Sequence, residues 1–67
     1  MYHYSVIIQY DKTDEVYVAK VPELEGCMAH GGTYEEATKE IKIALEGWLE
    51  TAKEMGIAIP EPMVLAS

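Results

Sequence analysis

The chain has 67 residues, with five lysines, no arginine and twelve acids, for a formal net charge of −7. Hydrophobic residues make up 49% of it, a globular rather than a disordered proportion. Phosphate recognition leans on Lys and above all on the planar fork of Arg, so this composition argues against binding of DNA or RNA by the chain alone and fits a basic protein partner.

A domain this short rarely gains more than ~3–5 kcal/mol from its own core, and such domains usually carry a staple. A single cysteine, Cys27, closes no internal disulfide, which leaves self-association, most simply as a dimer, as the expected reinforcement. No apolar run approaches the length of a membrane span, and Met1-Tyr2-His3-Tyr4 lacks the basic start of a secretory signal. With a lone thiol, these features predict a cytoplasmic protein.

In chain order, Tyr4, Val6, Ile8 and Tyr10 alternate with Ser5, Ile7 and Gln9, the period of a strand. Asp11 to Glu15 form a polar turn, and Val16 to Val21 resume β-branched and aromatic residues, so the two runs predict a hairpin. Pro22 ends the second strand because it has no N–H for the ladder. After a loop from Glu23 to Gly26, Cys27-Met28-Ala29-His30 has the length of a short third strand.

Gly31-Gly32 breaks that strand, and Thr33-Tyr34-Glu35-Glu36 fits a capping box. In it Thr33 Oγ1 accepts from the Glu36 N–H, and the Glu36 carboxylate reaches back to the Thr33 N–H. Ala37, Ile41, Ala44, Leu45, Trp48, Ala52 and Met55 then recur at helical spacing, and Gly56 supplies a left-handed stop. Ile57-Ala58-Ile59 reads as a fourth strand ended by Pro60-Glu61-Pro62. The fold class is therefore α+β with the order β-β-β-α-β: a three-stranded antiparallel meander, one helix, and a short fourth strand parallel to the first. Residues 1–62 form one domain, and the apolar tail 63–67, with Met63, Val64 and Leu65, is expected to dock on another subunit.

Tyr17-Val18-Ala19-Lys20-Val21-Pro22-Glu23-Leu24-Glu25-Gly26-Cys27, then His30-Gly31-Gly32-Thr33-Tyr34-Glu35-Glu36-Ala37, then Trp48-Leu49-Glu50 and Ile59-Pro60-Glu61-Pro62, together resemble the amino-terminal domain of HicB-type antitoxins. The resemblance runs from about Tyr4 to Pro62. It implies a degraded ribonuclease-H-like fold, no catalytic activity, no cofactor, and a small basic HicA-type ribonuclease toxin as the partner whose active site is covered. Complete members carry a carboxy-terminal DNA-binding domain. The chain ends five residues after Pro62, so operator binding is not expected.

Other readings of the same residues compete with this one. Cys27 and His30 have Cys-x-x-His spacing, but with only His3 to add they form a poor zinc set. Asp11, Asp14 and Glu15 in one turn, and Glu36 and Glu40 on one helix face, invite a Mg²⁺-nuclease reading; the catalytic acids of such a sheet belong on strand interiors, where Val6, Ile7 and Ile8 stand. Trp48 is read as core and Gly31-Gly32 as plain turn chemistry. Partner contact is expected at the loop acids Asp11, Asp14, Glu15, Glu23 and Glu25, with Tyr10 and Tyr17 flanking the hairpin turn as a cross-strand pair or as part of the binding surface. An orphan oligomeric binding module of the same fold is the alternative function.

Overall fold

The computed structural model describes residues 3–66. Met1 and Tyr2 of the expected signal-free start, and Ser67 of the expected tail, lie outside the described residues. Strands β1 (Ile7–Asp11), β2 (Val16–Lys20) and β3 (Met28–Gly31) are followed by helix α1 (Tyr34–Met55). The sheet is the expected meander, ordered β1-β2-β3 with both pairings antiparallel. Ile8 faces Ala19 and Tyr10 faces Tyr17 across the first pair, and Ala19 faces Ala29 across the second.

One face of the sheet is covered by α1. Ala19, Val21, Leu24, Cys27, Ala37, Ile41, Leu45 and Leu49 form the core, with Tyr4, Ile8, Tyr17, Ala29, Ala44 and Trp48 packed around it. The helix starts at Thr33, whose extended backbone and Oγ1 receive the Glu36 N–H at 3.1 Å, as the sequence predicts. The return bond differs. Glu36 Oε1 accepts from Gly32 N at 3.2 Å, one residue before the cap, because that glycine N–H is the donor within its reach. At the other end Gly56 is left-handed (φ 67°), its N–H donates to Lys53 O, and Ile57 N donates to Ala52 O at 2.9 Å. These two bonds make a Schellman closure.

A helix of 22 residues is about 33 Å long, while a five-residue strand spans only about 17 Å. The helix therefore outruns the sheet, and the loop after β2 fills the space beneath its second half. That loop is wound tight: Leu24 N donates to Val21 O, Cys27 N to Leu24 O, and Val21 N to Cys27 O. The winding puts Leu24 in the core at 1% exposure, and it draws Cys27 out of the third strand, where the sequence placed it. Met55, expected in the apolar stripe, lies past any cover at 68% exposure, and Leu49 takes part in the core instead.

Gly31 is more than a turn residue. A Cβ there would stand 2.6 Å from Ala37 N and 2.8 Å from Glu36 C, so the missing side chain lets the end of β3 lie against the first turn of α1.

The expected fourth strand is not formed among the described residues: the sheet has three strands, and Ile57–Ile59 has no place in its ladder. Residues 57–66 run without regular structure: Ile57 N is spent on closing the helix at Ala52 O, and Pro60 and Pro62 supply no N–H. Tyr4 Oη donates to Pro60 O, and Met63 N donates to Glu23 Oε2 at 2.9 Å. The second sheet face carries Ile7, Val16, Val18 and Met28 among Gln9, Lys20 and His30, and no described element covers it.

Candidate protein-binding surface

Tyr10 and Tyr17 are the directly opposed pair of the hairpin, and their rings meet edge to face with centroids 5.2 Å apart. Tyr34, the first residue of α1, adds a third ring 4.3 Å from Tyr17. The aromatic cluster is thus a cross-strand pair and an open surface at once, since Tyr10 is 54% and Tyr34 60% exposed. Tyr34 was not singled out in the sequence. Its only signal is its place just after the Thr33 cap, which the packing of α1 on β2 turns into a contact with Tyr17.

The turn beside the cluster is built by Asp11. Its Oδ1 accepts from Thr13 N at 2.9 Å and Asp14 N at 3.3 Å, an Asx arrangement that closes the four-residue loop. Glu15 completes the turn with a left-handed backbone, φ 54°. Asp14 and Glu15 are exposed in this turn and Glu35 follows Tyr34 in the helix, while Asp11 and Asp14 line a recess with Val16, Val18 and His30 on the sheet face away from the rings. Lys12 stands in the same turn. This arrangement offers flat aromatic area and acceptors to a partner carrying Lys or Arg.

Glu23 and Glu25 lie in the loop after β2, apart from this cluster. Glu23 is engaged within the chain. Its carboxylate accepts from Ser5 N (3.0 and 3.2 Å), Ser5 Oγ (3.1 Å) and Met63 N (2.9 Å), joining the approach to β1, the loop and the tail. Desolvation pushes this carboxyl up, but the bonds from Met63, Ser5 and its own N–H outweigh it and hold the group below its ordinary value. Glu25 is exposed, and its carbonyl accepts the Trp48 indole N–H at 2.9 Å. Trp48 is accordingly half-buried at the edge of the core, with its polar tip committed to the loop.

The tail is held at its base, where Pro62 is half-buried and Met63 N meets Glu23, yet Met63, Val64 and Leu65 are 62%, 65% and 100% exposed. Burial pushes the Cys27 thiol up from its ordinary value. Among the described residues no three His, Cys, Asp or Glu side chains gather where they could hold a metal ion. No helix of the described residues is long and apolar enough to cross a membrane.

Three antiparallel strands under a single helix, with an open aromatic and acidic end, define a small α+β domain. A family model described as UPF0150-like matches residues 7–60, and the chain belongs to that family. It is 38% identical over 58 residues to a UPF0150 protein of Synechocystis, covering 87% of this chain and 78% of the relative. A UPF0150 protein of Thermoplasma acidophilum is 42% identical over 57 residues, with 85% and 81% covered. One of Helicobacter pylori is 46% identical over 39 residues, 58% and 54% of the two chains.

Proposed function

We propose that the protein is a non-catalytic, cytoplasmic HicB-type antitoxin that binds and neutralises a small basic HicA-type ribonuclease without a cofactor. The observation that carries the reading is the exposed tyrosine cluster next to the hairpin turn, on a chain of net charge −7. Such a surface steers a basic partner from a distance and offers it aromatic anchors on contact. The order of motifs from Tyr17 to Pro62 supports the same reading. On it, the fold is a reduced ribonuclease-H-like domain, and residues 57–59 take the place of a fourth strand near the start of β1, where Tyr4 meets Pro60.

The test is to purify the product of the small basic reading frame beside the gene and follow its cleavage of RNA. Equimolar addition of this protein should abolish cleavage, and Tyr10→Ala with Glu15→Lys should restore it. Undiminished cleavage with the unaltered protein overturns the reading.

The exposed Met63, Val64 and Leu65 favour a second reading, an oligomeric binding module without a toxin, in which the tail docks on another copy of the chain. Burying these three side chains would contribute on the order of 4–8 kcal/mol before ordering costs. Sedimentation equilibrium should then show a dimer that residues 63–67 are needed to hold. A monomeric full-length chain rules this reading out.

A further inference from the structure

A groove of about 520 Å³ runs between the second half of α1 and the loop leading into β3. Trp48 and Ala52 lie along its helix side, and Met28 and Ile57, 53% and 49% exposed, form its walls. Gly47 opens the notch in the helix side. It sits in a helix interior, where glycine is among the poorest choices, yet a Cβ there would meet nothing within 4 Å. Packing inside this chain therefore gives no reason for the missing side chain, in contrast to Gly31. The gap lies next to Trp48, whose indole is fixed by the Glu25 carbonyl at 2.9 Å.

The charges on the helix flank and the loop of the groove are acidic, while Lys20, paired with Met28, stands on the outer-face side of its wall. At 100° per residue, Glu40 lies on the flank of α1 that carries Ala44, Gly47 and Thr51, and Glu54 lies beside it. Lys42 and Lys53 are on the opposite flank, and Lys39 is at the back. Glu25 stands on the loop across the groove.

We infer that this groove is a docking site for an amphipathic helix of a basic protein. A bulky apolar side chain of that helix enters the gap over Gly47 against Trp48, and Lys or Arg side chains pair with Glu25, Glu40 and Glu54. Helix-in-groove recognition has this division of labour, with apolar anchors for affinity and rim charges for choice of partner. A second copy is the wrong occupant on charge: the exposed apolar stretch of this chain, Ile57 to Ala66, contains Glu61 and no lysine. The inference rests on the function proposed above only in taking the partner to be a basic protein, and it concerns a different surface.

The experiment titrates isotope-labelled full-length protein with a synthetic Leu/Lys amphipathic helical peptide, following amide shifts and Trp48 fluorescence. The shifts should centre on Gly47, Trp48, Thr51 and Met28. Gly47→Leu should weaken binding by at least about tenfold while leaving the melting temperature no lower, because its Cβ meets nothing within 4 Å and leucine is a better helix former than glycine. A chain carrying Glu40→Lys and Glu54→Lys should exchange its preference for that of a Leu/Glu peptide, which keeps the test decisive if the leucine variant folds badly. Shifts confined to the outer sheet face or the tyrosine cluster, or no shifts at millimolar peptide, overturn the inference. So do concentration-dependent shifts of the same amides without peptide, which would make a second copy the occupant. Unchanged peptide affinity of the Gly47→Leu variant would also overturn it while leaving the proposed function intact. Peptide binding at Gly47 with no neutralisation would do the reverse.

Discussion

Gly31 and Thr33 sit two residues apart and hold the same junction by different means. At Gly31 any side chain collides with backbone atoms of the first helical turn, which have no rotamer to move into. Gly31→Ala should therefore destabilise the domain by about 1–3 kcal/mol, the usual range for forcing an atom into a packed site. A melting temperature equal to that of the unaltered protein would show that β3 and α1 separate freely. Thr33→Ala removes the acceptor for Glu36 N and should cost about 1 kcal/mol. Thermal melts of both variants, with Gly32→Ala as the tolerated neighbour, test the junction. The cap was legible in the sequence because it is a local motif with fixed spacing. The need for Gly31 was not, since the pair Gly31-Gly32 reads as a turn until the helix is laid against it.

Among the elements, α1, the meander and the Gly56 stop follow from periodicity and punctuation, and all three were readable. The loop after β2 was not. Leu24 stands between two glutamates in a polar stretch, and only the overlength helix above it makes its burial favourable. The fourth strand is absent from the sheet: Ile57-Ala58-Ile59 has strand composition, but Ile57 N closes the helix, Pro60 and Pro62 have no N–H for a ladder, and Pro60 and Met63 bond to the side chains of Tyr4 and Glu23. Glu23, which the sequence offers as a partner contact, ties Ser5 and Met63 together. A carboxyl held low on folding stabilises the folded form above its unfolded pKa, and that contribution is lost as pH falls through the folded value. The amide resonances of Ser5 and Met63 should thus titrate together, with a midpoint below the ordinary value of a glutamate side chain. A midpoint at or above that value, or separate midpoints, would mean that Glu23 does not join the two segments.

For the whole molecule, charge is the dominant long-range property. With net charge −7 and no arginine, the protein should show no measurable affinity for duplex DNA or for RNA at physiological salt. Anisotropy titration with labelled duplex and labelled RNA tests this, and submicromolar binding of either would contradict it. The same charge was legible from composition. Its distribution was not, because the placement of Glu40 and Glu54 on one flank of α1 and the lysines on another matters only once the groove beside that flank exists.

Because α1 outruns the sheet, its amides fall into two kinetic populations. Those from Ile41 to Leu45 lie where the helix covers the strands, and their hydrogens exchange with solvent only when the domain opens as a whole. Those from Leu49 to Ala52 are covered by the loop that carries Leu24 and Cys27, so lifting that loop exposes them while the sheet stays closed. Exchange protection should step down along a single unbroken helix between these two stretches. A peptide seated beside Trp48 bridges the loop to the helix, and it should slow exchange in the second stretch while leaving the first unchanged.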